Sequence, residues 1–194
     1  MEHAGSEFII RRAKASDIDA IGKLLFETWH DAYDPIIGAV EVEKITTVVF
    51  APQLLAHYAR SSPISRLFVA QCKNQLAGVG QCQISMLGGT QLHMLYVHPE
   101  FQCRGLGTEL LGKCALAFPW ARTFSVQALE PNSRALSFYE RHGFSKVGWH
   151  HNRRWASVPI VTLRRSLPGS RGMFTAFMRF WRLWFGLPMD EPVG

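Results

Sequence analysis

The sequence is short of cysteine: Cys72, Cys82, Cys103 and Cys114 are the only four in 194 residues. No C-x-x-C pair occurs, so neither a zinc site nor a disulfide scaffold is indicated, the thiols are read as reduced, and no metal is expected. Long apolar runs are missing too, with nothing near the roughly 18 residues of a membrane span. The opening M-E-H-A-G-S-E-F has two acids and no apolar stretch, unlike a secretory signal, and a cytoplasmic address is expected. Acid is scarce at the far end. Residues 1–140 hold 12 Lys/Arg against 13 Asp/Glu, whereas residues 141–194 hold 9 against 2. The basic excess is therefore C-terminal, which points to a local anionic partner and away from a nucleic-acid groove along the whole domain.

What is present suits one globular domain, large enough to bury roughly 70% of its unfolded surface. F-I-I-R-R-A (8–13) reads as a first strand, and Ser16 with Asp19 forms a capping box. Ile18, Ile21, Leu25 and Trp29 recur at helical spacing through about residue 31. D-P-I-I-G (34–38) is expected to break that helix, and residues 40–60 read as a second helical region interrupted at Pro52. R-L-F-V-A-Q-C (66–72), residues 76–86 and T-Q-L-H-M-L-Y-V (90–97) read as three antiparallel strands. A helix follows over 107–118, then a buried strand over 122–129. Asn132 caps another helix that Gly143 ends, and 144–151 and 158–167 form a closing pair of strands. The order predicts an α/β layer fold with a mixed sheet and helices on its faces.

Between the third strand and its helix stands Q-C-R-G-L-G (102–107). Glycines at a helix N-terminus let backbone amides approach a phosphate closely, so the turn reads as an anion cradle. The dinucleotide pattern G-x-G-x-x-G fails, because Leu110 stands where the third glycine belongs. The P-loop pattern fits Gly107, Gly112 and Lys113 but then meets Cys114, a poor magnesium ligand, inside an apolar-periodic helix. Cys103 is either an inert small residue or a thiol activated by the turn's amides and Arg104.

The segment L-Y-V-H-P-E-F-Q-C-R-G-L-G-T-E-L-L resembles the signature of the GNAT superfamily of N-acetyltransferases, Q/R-x-x-G-x-G/A after a strand. F-I-I-R-R-A-K-A-S-D-I-D-A-I and N-S-R-A-L-S-F-Y-E-R-H-G-F resemble that family's opening and closing motifs, in register over residues 8–167. The resemblance implies a mostly antiparallel mixed sheet of about seven strands flanked by four helices. It also implies an enzyme that moves the acetyl group of acetyl-CoA directly to a primary amine of a small molecule or a protein N-terminus. The alternative is a non-catalytic acyl-CoA-binding or tail-mediated interaction module on the same fold.

Carried over by similarity, Gln102, Cys103, Arg104, Gly105, Leu106, Gly107 and Thr108 hold the coenzyme A pyrophosphate, mainly through backbone amides. Cys103 stands where the family often has glycine. Leu95 and Val97 present backbone groups to the pantetheine arm, Asn132 touches the cofactor, and Tyr139 protonates the leaving thiolate. The base is the weak point of the resemblance. Gln91 stands where some relatives have glutamate, and His93, two residues on, is the candidate on the same strand face, with solvent as the other route. The acceptor is expected between W-H-D-A-Y-D-P (29–35) and H-H-N-R-R-W (150–155). Trp29, Tyr33 and Trp155 would wall it, Asp31 or Asp34 would hold a cation, and Arg153 or Arg154 a carboxylate.

After Leu167 the chain leaves the family pattern. Residues 168–194 are a separate basic, aromatic extension. On a helix, 171–187 would place Phe174, Phe177, Phe180, Trp181 and Trp184 on one face and Arg179 and Arg182 opposite. Packing on the domain, a homodimer contact or peripheral binding to anionic lipid are the roles that pattern allows.

Overall fold

The computed structural model describes residues 8–60, 62–85, 88–151 and 158–168. Arg153, Arg154, Trp155 and the amphipathic segment 171–187 lie outside the described residues. The chain runs β1 (Ile9–Arg12), α1 (Ile18–Ile37), α2 (Ala39–Val49), α3 (Pro52–Ala59), β2 (Ser65–Cys72), β3 (Gln75–Ile84) and β4 (Thr90–Val97). It continues with α4 (Leu106–Ala115), β5 (Thr123–Leu129), α5 (Ser133–Arg141), β6 (Ser145–His151) and β7 (Pro159–Ser166). The seven strands form one sheet in the order β1-β2-β3-β4-β5-β7-β6, and only β4 and β5 run parallel. The expected α/β mixed sheet is therefore present.

The N-terminal third differs from expectation at the two ends of α1. Asp17, not Ser16, closes the turn before α1: its carboxylate accepts from the Lys14 amide at 2.7 Å and takes both Arg11 guanidinium nitrogens at 2.7 and 2.8 Å. Next, α1 runs through Asp34 and Pro35 to Ile37. The actual stop is Gly38, at φ +84°. The expected interruption at Pro52 is present: Pro52 starts α3 as its first residue, where its missing N–H is harmless. That division makes five α-helices instead of four.

Helices cover the two sheet faces separately. On one face Ile21, Leu24 and Leu25 of α1 and Leu55 of α3 pack on Leu67, Val69, Val79 and Met94. On the other, Leu111 and Cys114 of α4, Phe118, and Leu136 and Tyr139 of α5 pack on Leu92, Phe124, Val126 and Leu163. Each such burial contributes about 1.5–3 kcal/mol, and Leu25→Ala in this wall would cost about 2–5 kcal/mol. Close approach of α4 to the sheet depends on Gly78. A Cβ there would lie 2.9 Å from Leu110 Cδ1 and 3.0 Å from the Tyr96 carbonyl oxygen.

Among the described residues no cysteine forms a disulfide, and Cys103 alone of the four is exposed. No described helix is long and apolar enough to cross a membrane.

Candidate active site

The sheet opens in its middle. β4 pairs with β5 only over Thr90–Leu92 against Phe124–Val126, although β4 continues to Val97 and β5 to Leu129. On its other side β4 stays paired with β3, Gly80 facing Leu95 and Gly78 facing Val97. The His98 amide donates to the Ala77 carbonyl, and bonded and non-bonded pairs alternate along an antiparallel ladder. Leu95 and Val97 are therefore turned away from β3, with their N–H groups toward the gap. The gap belongs to a cavity of about 530 Å³ lined by β4, β5, the 101–108 turn, α5 and the middle of α1.

The glycine turn forms one wall. Gly105 is left-handed at φ +81° and precedes α4, and the first intrahelical bonds run from Thr108 and Glu109 to its carbonyl. The amides of Leu106 and Gly107 come before those bonds and carry the positive end of the helix dipole. Cys103 is also left-handed, at φ +61°. That conformation favours glycine and gives a physical reason for the residue commonly found there in the resembling family. Gly107 is different, because a Cβ on it would meet the Phe138 ring at 3.5 Å, an ordinary contact. Gln102 bridges the wall: its amide donates to the Val97 carbonyl at 2.9 Å, and the Arg134 guanidinium donates to its oxygen. His142 donates from Nδ1 to the Phe138 carbonyl at 2.7 Å, which leaves Nε2 to accept from the Thr108 hydroxyl at 3.0 Å. Arg104 sits over the Phe101 ring.

Tyr139 lines the cavity and is 7% exposed. Burial holds its phenol well above the ordinary 10.0, with the nearby Tyr33 phenol adding to the effect. Tyr33 and Tyr96 are raised as well, chiefly by burial. Tyr33 interacts with the side chains of Tyr96 and Asn132, so α1, β4 and the start of α5 meet at a cluster of phenols. Asn132 also caps α5, its side-chain oxygen accepting from the Ala135 amide at 3.0 Å.

His93 lines the cavity, but its place on β4 is not the one simple alternation gives. Leu92 pairs with Cys82 and Met94 with Gln81, so His93 is the extra residue of a bulge and is not in regular alternation with Gln91. Its side chain is accessible from the cavity, and desolvation by the walls lowers its pKa below 6.5.

The expected acceptor residues separate. Tyr33 and Asp31 line the cavity. Trp29 stands behind, against Tyr33, Phe50 and Tyr96 at ring distances of 4.7, 5.3 and 6.3 Å. Asp34 turns to His30, 2.9 Å away, whose other nitrogen lies 3.3 Å from Glu43 of α2. Sequence reasoning missed Tyr96, Gln127, Arg134, Phe138, Arg141 and His142. For α5 a signal existed, since residues 134, 138, 141 and 142 share one helical face.

Residues 63–146 match the sequence model of the acetyltransferase (GNAT) domain. That stretch contains the segment Q-C-R-G-L-G (102–107) on which the resemblance rests. Solved structures agree on the fold. A PaiA N-acetyltransferase from Thermoplasma acidophilum, solved in complex with coenzyme A, is 19% identical with a TM-score of 0.73, over 82% of this chain and 99% of that one. A ribosomal-protein alanine N-acetyltransferase from Escherichia coli is 15% identical at TM-score 0.64, over 84% and 97%. A GNAT-family acetyltransferase from Streptococcus pneumoniae is 14% identical at TM-score 0.65, over 82% and 99%.

Proposed function

We propose that this protein transfers the acetyl group of acetyl-CoA to a primary amine, on a small molecule or a protein N-terminus. The observation that carries this reading is the parting of β4 from β5 after Leu92. The gap it leaves shares its cavity with the glycine turn at the start of α4. A long polar cofactor with a pyrophosphate fits strand amides turned into a gap beside an anion-attracting helix start. The relative solved with coenzyme A supports the same choice of ligand.

In this reading the backbone from Gln102 to Thr108 holds the pyrophosphate, with Arg134 steadying Gln102. Leu95 and Val97 orient the pantetheine arm as a neighbouring strand would, and Asn132 contacts the cofactor. Acetyl-CoA, when bound, supplies an acyl group activated as a thioester. The Val97 N–H polarises the acyl carbonyl, an interaction worth about 2.7–4 kcal/mol in other enzymes. Tyr139 gives its hydroxyl proton to the departing sulfur. The proton of the amine goes to His93, which the cavity walls keep neutral and able to accept it. Asp31, the one carboxylate among the described residues lining the cavity, draws a cationic amine to this end, and the Tyr33 ring packs beside it.

The test is release of free coenzyme A from acetyl-CoA across a panel of amines and peptides. Steady turnover with at least one amine supports the reading. Tight binding of acetyl-CoA with no turnover on any amine favours the non-catalytic acyl-CoA-binding module.

A further inference from the structure

At the opposite end of the sheet from the glycine turn lies a second cavity of about 480 Å³, lined by Arg12, Ala13, Ala59, Ser62, Pro63 and Arg66. It shares no lining residue with the first. We propose that this cavity binds a small oxyanion, a phosphate or a carboxylate, between the guanidinium groups of Arg12 and Arg66.

The strand register places the pair. Arg12 stands opposite Phe68, and Arg66 precedes Phe68 by two residues on β2, so all three point to one sheet face. Arg12 lies over the Phe68 ring at 5.8 Å and Arg66 over the Phe118 ring at 5.1 Å. One Arg66 nitrogen is anchored by the Ser62 carbonyl and by that of Ser65 at 2.9 Å. Aromatic support and anchoring fix the planar groups while leaving other N–H donors unspent.

Charge in the pocket is one-sided. Among the described residues neither guanidinium forms an ion pair, in contrast to the adjacent Arg11, which Asp17 holds with both oxygens. Burial lowers the pKa of Arg12, and the nearby Arg66 cation lowers it further. An oxyanion removes that repulsion and matches the forked donors of arginine in a way that chloride or water does not. Ser62 adds a donor: its oxygen already accepts from the Ile64 amide at 3.2 Å, so its hydroxyl proton remains to be donated. Ala13, Ala59 and Pro63 complete the lining and bring no acid to compete for the two cations.

The experiment titrates the full chain with inorganic phosphate and, separately, with malonate, at constant ionic strength set by chloride. Heat of binding and thermal midpoint are both read. Arg12→Gln is expected to raise the midpoint without added anion, because it removes the repulsion, and to weaken the saturable anion response at least tenfold. Arg12→Lys, which keeps the charge and loses the fork, should fall between. Arg66→Gln should weaken binding likewise; because Arg66 also anchors Ser62, its own fold is checked first, and Arg12→Gln carries the test if Arg66→Gln unfolds. Anion bound at the glycine turn is insensitive to these substitutions and appears as a component common to all variants. A response to phosphate alone assigns a phosphate ligand, to malonate alone a carboxylate, and to both the wider class. Equal responses in the wild type and Arg12→Gln, or no saturable response to either anion, overturn the proposal.

Discussion

Leu92 stands opposite Val126, and it is the last residue of β4 to pair with β5. Beyond it, the backbone groups of Leu95 and Val97 face a cavity in place of a strand. Everything proposed for catalysis depends on that gap and on the turn at its mouth.

The two glycines of the turn should respond differently to alanine. Gly105 adopts φ +81° with open space around it, whereas Gly107 has no such conformation and would place a methyl against Phe138. Gly105→Ala incurs about 1–2 kcal/mol of left-handed strain and should weaken acetyl-CoA binding, measured by calorimetry. Gly107→Ala should change it little. Equal losses would place the constraint at Phe138 packing and not at the turn's backbone path.

Tyr139→Phe removes only a hydroxyl from a buried ring. The expected result is a fall in kcat of about 10²–10⁴-fold with acetyl-CoA affinity nearly unchanged. Because burial raises the phenol above 10.0, no alkaline loss of kcat from this group should appear below pH 10. A Tyr139→Phe enzyme with wild-type kcat would remove the residue from the mechanism.

His93 predicts the acid limb. Its pKa lies below 6.5 because its walls disfavour the charged form, so as the accepting base it would make kcat rise with pH through a midpoint below 6.5 and level off above it. In His93→Gln that limb should vanish. If the limb persists unchanged, solvent takes the proton.

The two aspartates of α1 should separate by function. Asp31 lines the cavity, so Asp31→Asn should raise KM for a cationic amine with little effect on folding. Asp34 bridges to His30, so Asp34→Asn should lower the thermal midpoint and leave KM nearly unchanged. The opposite pattern would move the acceptor to the α1–α2 side.

Asp17 carries a pH-dependent share of stability. The Arg11 hydrogen bonds, the Lys14 amide and their charges together hold its carboxyl below the ordinary 3.8, against some desolvation. A lowered folded-state value stabilises fully above the unfolded value and is lost as pH falls through the folded one. Asp17→Asn should therefore cost about 1.5–3 kcal/mol near neutrality. Its chemical denaturation curve should converge on the wild type's as pH drops below 3.8.

Much of the architecture is local in origin and so was readable from the chain. Period-two stretches became strands, Asn132 capped its helix, and Gly143 stopped it, because these depend on near neighbours in sequence. The glycine turn and Tyr139 were legible for the same reason, each lying within a contiguous motif. Other features depend on which distant segments meet. Pro35 reads as a breaker yet sits inside α1, which ends only at Gly38. The bulge at His93 is invisible in the chain, since register is a property of two strands. Asp31 and Asp34 are equivalent by composition, and only the packing of α2 beside α1 gave Asp34 a partner and left Asp31 to the cavity. Tertiary structure likewise brought Arg12 and Arg66, 54 positions apart in the chain, to one pocket. Periodicity is written residue by residue, whereas strand register and charge pairing between remote segments exist only once the sheet has formed.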